Sequence, residues 1–97
     1  MHGYQRKYLK GLAHKLKPTV IVGQKGADPS VIKALDEALD KHELIKVKFV
    51  EFKEKSQKDA IRVALERETS AEHVGTIGHM VILYRQQKDP EKQKITV

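Results

Sequence analysis

The junction at residues 19–29 constrains the fold of this chain more than any other segment. Residues 19–22 are short, apolar and β-branched, which predicts a strand buried on both faces. Residues 23–26 form a turn bounded by glycines, and Asp28 followed by Pro29 is typical of an N-cap and the first position of a helix. The segment therefore predicts a strand that leads directly into a helix, as in a right-handed β-α-β unit.

Hydrophobic periodicity extends this unit into a complete domain. In chain order the predicted elements are a helix over residues 4–16, a strand over 19–22, a helix over 29–42, a strand over 44–52, a helix that begins with a capping box of Ser56 and Asp59 and runs to about residue 69, and strands over 73–77 and 80–85. The order α-β-α-β-α-β-β predicts an α+β fold, an α/β sandwich of three helices and a four-stranded mixed sheet. We expect the first two strands to be parallel, the final hairpin to be antiparallel and one sheet face to be free of helices.

The positive charge of the chain is concentrated at its beginning. Residues 1–26 contain six Lys and Arg side chains and no Asp or Glu, whereas the remaining thirteen bases are balanced by thirteen acids. A segregated positive field is typical of a surface that binds a polyanion, although surface lysines also serve solubility alone. Lys46 and Lys48, on the sheet face opposite Ile45, are expected to extend this basic surface.

Length and composition exclude several classes of protein. At 97 residues the chain fits one domain over residues 1–97, in which residues 86–97 form a polar tail and residues 86–94 are expected to fray. The absence of cysteine excludes a disulfide scaffold, a cysteine-ligated zinc site and thiol chemistry. No apolar run approaches the roughly 20 residues of a membrane span, so we expect a soluble cytoplasmic protein with no membrane partner.

The histidines and carboxylates do not form a catalytic or metal-binding pattern. The five histidines fall on separate predicted elements without H-x-x-x-H spacing, and no Ser-His-Asp arrangement stands out. We therefore expect no enzymatic activity, cofactor, metal or small-molecule substrate. A small hydrolase that uses histidine and carboxylate side chains is the least favoured alternative.

The glycine turn at residues 23–26 is the best candidate for a binding site. Its flexible amides and the ammonium of Lys25 lie next to a predicted helix N-terminus, an arrangement that suits a phosphate of a nucleic-acid backbone. Glycine would let the sugar-phosphate chain approach these amides closely. The alternative is that the glycines serve only the geometry of a strand-to-helix turn, and the Walker A pattern of nucleotide-binding loops is absent.

Four segments of the sequence together carry a family resemblance: residues 9–18, 22–26, 42–48 and 77–85. In their order and spacing they resemble the CRM domain, and more closely its stand-alone bacterial form, the YhbY-like proteins. The resemblance implies a fold similar to the C-terminal domain of translation initiation factor 3, with a KH-like G-x-x-G loop. It also implies RNA binding, association with precursors of the large ribosomal subunit and a role in ribosome assembly. Related plant domains serve group II intron splicing.

The charge pattern and the resemblance together indicate eleven RNA-binding residues. They are Gly23, Gln24, Lys25, Gly26, Lys7, Lys10, Lys15, Lys17, Lys46, Lys48 and Arg85. In KH domains the G-x-x-G loop joins two helices, whereas here it joins a strand to a helix. Gln24 stands where some relatives carry Lys or Arg. We expect a monomer that binds ribosomal RNA. The alternative is a protein-interaction module whose basic face docks an acidic or ribosomal protein.

Overall fold

The structure is a computed structural model that describes residues 1–51 and 54–96. Within these ranges the chain forms three α-helices, four strands and one turn of 3-10 helix. In chain order they are α1 (Gly3–Ala13), β1 (Pro18–Val22), α2 (Pro29–His42), β2 (Leu44–Phe49), α3 (Lys55–Thr69), β3 (Glu72–Ile77), β4 (Met80–Tyr84) and the 3-10 turn Pro90–Lys92. The predicted order α-β-α-β-α-β-β and the α+β class are confirmed.

The strands form one mixed sheet in the order β1-β2-β4-β3. As predicted, β1 and β2 are parallel, and β4 is antiparallel to both β2 and β3. The parallel strands therefore end at the same edge, where the Phe49 N–H donates to the His79 carbonyl at 2.8 Å and the Val50 N–H donates to the Val22 carbonyl at 2.9 Å. This edge, called the loop end below, carries residues 23–26, the start of α3 and the β3–β4 turn at residues 78–79.

Helices cover both faces of the sheet, so the expectation of one free face is wrong in part. The face towards α2 and α3 buries the larger core, which includes Leu35, Leu39, Val47, Phe49 and Leu65. On the other face α1 packs Leu9 and Ala13 against side chains of β2, β3 and β4. Because Leu44, Ile82 and Tyr84 are apolar and point to this second face, part of it must be covered, and α1 supplies the cover.

Strand β1 is buried on one face only, contrary to the prediction. Val20 and Val22 lie in the larger core, whereas Ile21 is 60% exposed. The reason is that β1 lies at the sheet edge and α1 ends at Ala13, three residues earlier than predicted, with Leu16 exposed beyond it.

Two further element boundaries differ from the prediction. Strand β2 ends at Phe49, so the predicted strand is wrong at residues 50 and 51, where Glu51 has a φ of 69°, and residue 52 lies outside the described residues. The capping box of Ser56 and Asp59 does not form, because Glu54 is the N-cap of α3 and Ser56 already lies inside the first turn. In contrast, Asp28 and Pro29 begin α2 as predicted.

The C-terminal segment is anchored rather than frayed. The buried Glu43 carboxylate accepts backbone N–H bonds from Gln87 at 2.8 Å, Lys94 at 2.6 Å and Ile95 at 3.0 Å. Glu43 also ends α2 with a positive φ of 63°. A buried carboxylate needs several donors, and the C-terminal segment provides them.

Candidate nucleic-acid interface

The two glycines of the loop at residues 23–26 differ in what the fold requires of them. The Gly26 N–H donates to the Gly23 carbonyl at 3.0 Å, which closes a tight turn between β1 and α2. Gly26 has a φ of +62°, and a Cβ there would lie 3.4 Å from Ile61 Cδ1, so the backbone itself favours glycine. At Gly23 a Cβ would meet nothing within 4 Å. The space beside Gly23 is therefore open to a ligand.

The N-terminus of α2 is already capped by a carboxylate. The Asp28 side chain accepts the Val31 N–H at 2.9 Å and the Ser30 hydroxyl at 2.8 Å. These hydrogen bonds, that from Val31 first, hold the pKa of Asp28 below its usual value, so the carboxylate is ionised at neutral pH. The helix end is consequently less attractive to a phosphate than the sequence suggested. The available donors are the Lys25 ammonium and the N–H groups of Gln24 and Lys25, which have no hydrogen-bond partner among the described residues.

Charge is segregated between the two sides of the sheet. The sequences of α1, β1, β2 and β4 contain no acid, whereas the acids of the regular elements lie on α2, α3, β3 and the 3-10 turn; Glu72 of β3 is an exception to the segregation, because it lines a pocket with Gln5 of α1. The α1 side therefore presents a surface, called the basic face below, that carries the side chains Arg6, Lys7, Lys10, Lys15, Lys17, Lys46 and Lys48. This segregation produces a positive field on one side of the molecule.

Most of the predicted basic residues lie on this face, and two of them also support the fold. Lys7, Lys15, Lys17 and Lys48 are exposed. The Lys10 side chain lies across Gly75, where a Cβ would collide with it, so Lys10 helps seat α1 on β3. Lys46 is half-buried, and its Nζ donates to the His14 carbonyl at 3.3 Å, which ties the end of α1 to β2. The exposed lysines are thus free to contact a ligand, while the other two are partly engaged.

Arg85 requires a correction, because its side chain lies on the opposite side of the sheet. Its guanidinium donates to the carboxylates of Asp36 and Asp40, to the Asp36 carbonyl at 2.9 Å and to the Thr69 carbonyl at 2.8 Å. The side chain is only 17% exposed. Arg85 therefore joins α2 to the end of α3, and the structure separates it from the basic face.

A second group of basic side chains lies at the loop end, where sequence reasoning did not look. A cleft between α3 and the β3–β4 turn is lined by Lys55, Lys58, Arg62, His73 and His79, together with the acidic Asp59. Lys58 Nζ lies 3.4 Å from His79 Nδ1 and 3.5 Å from the Gly78 carbonyl. The spacing of three and four residues between the bases of α3 was the available signal, because it places them on one helix face.

Only part of this cleft carries free charge. Arg62 forms an ion pair with Glu66, one turn further along α3. Burial, and then the charge of Arg62, lower the pKa of His73, so its ring is neutral at pH 7. Within residues 1–51 and 54–96, no carboxylate lies within 4.0 Å of the ammonium of Lys55 or Lys58. These two lysines add positive charge to the α3 side of the loop end, where Asp59 is the acid that lines the same cleft.

Two further searches of residues 1–51 and 54–96 bear on the class of protein. No group of three or more His, Asp and Glu side chains there could hold a metal ion. No helix there has the length and apolar content needed to cross a bilayer.

Comparison with known proteins assigns the family. The family model described as the CRS1 / YhbY (CRM) domain matches residues 1–85. The chain belongs to the CRM domain family. A Haemophilus influenzae CRM relative named "RNA-binding protein" is 44% identical over 89 residues, which cover 92% of this chain and 89% of the relative. Bacillus subtilis "Probable RNA-binding protein YqeI" is 36% identical over 87 residues, 90% of each chain.

A solved structure supports the same assignment. The solution structure of a hypothetical protein from Staphylococcus aureus matches this CRM domain with a TM-score of 0.81 and 31% sequence identity, and the match covers 99% of both chains. The resemblance to the CRM domain and its stand-alone bacterial form is confirmed.

Proposed function

We propose that this CRM-domain protein binds RNA through its basic face and the loop at residues 23–26. The observation that carries the proposal is the absence of acids from α1, β1, β2 and β4, which gives one side of the sheet a positive field. The names of the bacterial relatives support the same ligand.

In the proposed complex the loop holds one phosphate of a single RNA strand. The amides of Gln24 and Lys25 and the Lys25 ammonium donate to its oxygens, and Gly23 leaves room for the sugar-phosphate chain. Lys7, Lys15 and Lys17 contact further phosphates by charge, which adds affinity without sequence selectivity.

The biological target is proposed from the family resemblance. The single domain binds ribosomal RNA in precursors of the large ribosomal subunit, in the cytoplasm, and assists assembly as a monomer without enzymatic activity. A broad basic surface that contacts phosphates rather than base edges suits a large RNA of irregular shape as its ligand.

A protein-interaction module is the second candidate, and one observation favours it. Apolar side chains stay exposed along α1, where Tyr8 is 50%, Leu12 is 40% and Leu16 is 39% exposed, beside a groove that Ile95 also lines. Such a groove could accept an apolar side chain of a ribosomal protein.

Two charge-reversal pairs test the RNA proposal. Lys15→Glu with Lys17→Glu acts on the basic face, and Lys33→Glu with Lys41→Glu makes the same change of net charge on exposed positions of α2. We expect the first pair to lose about tenfold or more in affinity for a large-subunit RNA fragment, because each close contact is worth about 1 kcal/mol in water. The second pair should lose much less, because charges beyond about 8 Å are screened at physiological salt.

Binding measured at one salt concentration, with thermal unfolding to check the fold, decides between the two surfaces. Equal losses in the two pairs would contradict the assignment of RNA binding to the basic face. Unchanged RNA affinity in both pairs would favour the protein-interaction module.

A further inference from the structure

Helix α1 leaves one row of the sheet uncovered at the loop end. In the register of the sheet, Ile21 of β1 is paired with Lys48 of β2, Lys48 with Met80 of β4, and Met80 with Ile77 of β3. These four residues, called the open row below, lie side by side on the α1 face of the sheet. At about 4.8 Å between strands, the row is about 14 Å wide.

The open row exposes apolar surface that the fold does not use. Ile21 is 60% and Ile77 is 63% exposed, Met80 is half-buried and Lys48 is exposed. The cover provided by α1 stops one row earlier, where Lys10 lies across Gly75. Exposed apolar residues are ordinary when they are scattered. Here Met80 and Ile77 are direct neighbours in the register, and Lys48, whose methylene stem is apolar, lies between them and Ile21.

The surroundings of the open row favour RNA as its occupant. Lys10 and Lys46 border it on the side of α1, and the loop at residues 23–26 begins two residues after Ile21. The strands that carry Ile21, Lys48 and Met80 contain no acid, nor does α1. An RNA strand with negative phosphates and flat apolar bases complements this arrangement, because Lys48 lies within the apolar row and Lys10 and Lys46 lie along one side of it.

We propose that the open row binds unpaired bases of the RNA strand whose phosphate occupies the loop at residues 23–26. The inference rests on the proposed function and adds a preference for single-stranded segments. Bases splayed out of a helix present their flat faces to Ile21, Met80 and Ile77, while Lys48 stays close to the backbone. Contact with aliphatic side chains does not read base edges, so the preference is for unpaired bases rather than for a particular sequence.

The test removes the apolar surface without changing the charge. Ile21→Thr with Ile77→Thr keeps β-branched residues, which suit strands, at both positions. Val63→Thr is the matched control, because Val63 is 50% exposed and lies on α3, on the other side of the sheet. The probes are a short single-stranded RNA oligomer and an abasic oligomer of the same length, with equal numbers of phosphates.

We expect wild-type protein to bind the base-bearing oligomer more tightly than the abasic one. The double variant should lose about five- to tenfold in affinity for the base-bearing oligomer, as expected for the loss of buried apolar area, and little for the abasic one. Val63→Thr should change neither affinity.

The remaining outcomes separate this inference from the proposed function. Two results would overturn the open row as a base-binding surface: equal losses of affinity for both oligomers, or unchanged affinity for both in a folded double variant. Either result would leave RNA binding through phosphates standing. Unchanged affinity for both would point to a protein as the occupant of the open row. Failure of the wild type to bind either oligomer would overturn the proposed function and this inference with it.

Discussion

At the scale of single residues, the loop at residues 23–26 shows how one motif can combine two requirements. Gly26 meets a conformational requirement, because its φ is +62° and Ile61 lies beside it. Gly23 meets none that the described structure imposes, since its φ is not in the left-handed region and its surroundings are open. The conformational and the ligand-binding explanations of the glycines therefore apply to different positions.

Alanine substitutions at the two glycines should have opposite effects. Gly26→Ala should lower the free energy of unfolding by about 1–2 kcal/mol, the cost of a left-handed backbone for a residue with a Cβ. Gly23→Ala should leave stability within about 0.5 kcal/mol, as for most surface changes. It should weaken RNA binding about tenfold, the value of one hydrogen bond to a charged group, because its methyl group occupies the space of the ligand.

Chemical denaturation and RNA titration of both variants check this expectation. A Gly23→Ala protein that is folded and binds RNA as tightly as wild type would refute the open position as a phosphate site. Lys25→Ala is a useful companion, because it removes charge from the same exposed turn without adding a methyl group near the amides.

Residue types alone could not predict which basic side chains are free of ion pairs. Lys48, inside an alternating strand, and Arg85, at the end of the last strand, were both predicted to bind RNA. Lys48 projects from a strand whose neighbours carry no acid, whereas Arg85 meets Asp36 and Asp40, which lie 49 and 45 positions away in the chain. Ion pairs between such distant positions depend on tertiary packing, so a single sequence gives no signal of them.

At the scale of elements, predictions succeeded where a local signal decides the structure. Asp28 and Pro29 begin α2, and β3 and β4 form the predicted antiparallel hairpin. The position of α1 depends instead on which sheet face stays uncovered after α2 and α3 pack, which is a property of the assembled sheet. For the same reason the open row could not be identified from the sequence.

The C-terminal segment is a second element that the sequence did not predict. Glu43 binds the backbone of this segment, and Ile95 packs against the cluster that α1 forms with the sheet. Segment and helix therefore stabilise the same face. Through this contact, Glu43 helps to hold the basic residues of α1 in position.

Glu43→Gln should destabilise the protein by about 1–3 kcal/mol, because an amide group cannot accept on both sides and a buried N–H loses its partner. Amide hydrogen exchange should accelerate at Gln87, Lys94 and Ile95 before the rest of the chain. Glu37→Gln is the control, because it removes the same charge from an exposed position of α2 and should stay within about 0.5 kcal/mol. Unchanged protection of these three amides would show that packing alone holds the segment.

At the scale of the whole molecule, the proposed function depends on the division of charge between two layers. The layer of α2 and α3 mixes acids and bases and contains the ion pairs of Arg62 and Arg85. The α1 layer carries only basic charged side chains on α1, β1, β2 and β4, and Glu72 of β3 is an acid that lies on the same side. The net charge of +6 therefore acts mainly in one direction, which orients an approaching polyanion before close contacts form.

This division predicts how RNA affinity depends on salt. If about five phosphates are neutralised, the logarithm of the association constant for single-stranded RNA should fall with the logarithm of salt concentration with a slope near −3.5, at roughly −0.7 per contact. Lys15→Glu with Lys17→Glu removes two contacts and should make the slope shallower by about 1.4. Ile21→Thr with Ile77→Thr removes no phosphate contact, so it should lower the RNA affinity at every salt concentration without changing the slope. Titrations at several salt concentrations measure all three slopes, and a wild-type slope near zero would mean that phosphates do not bind the basic face.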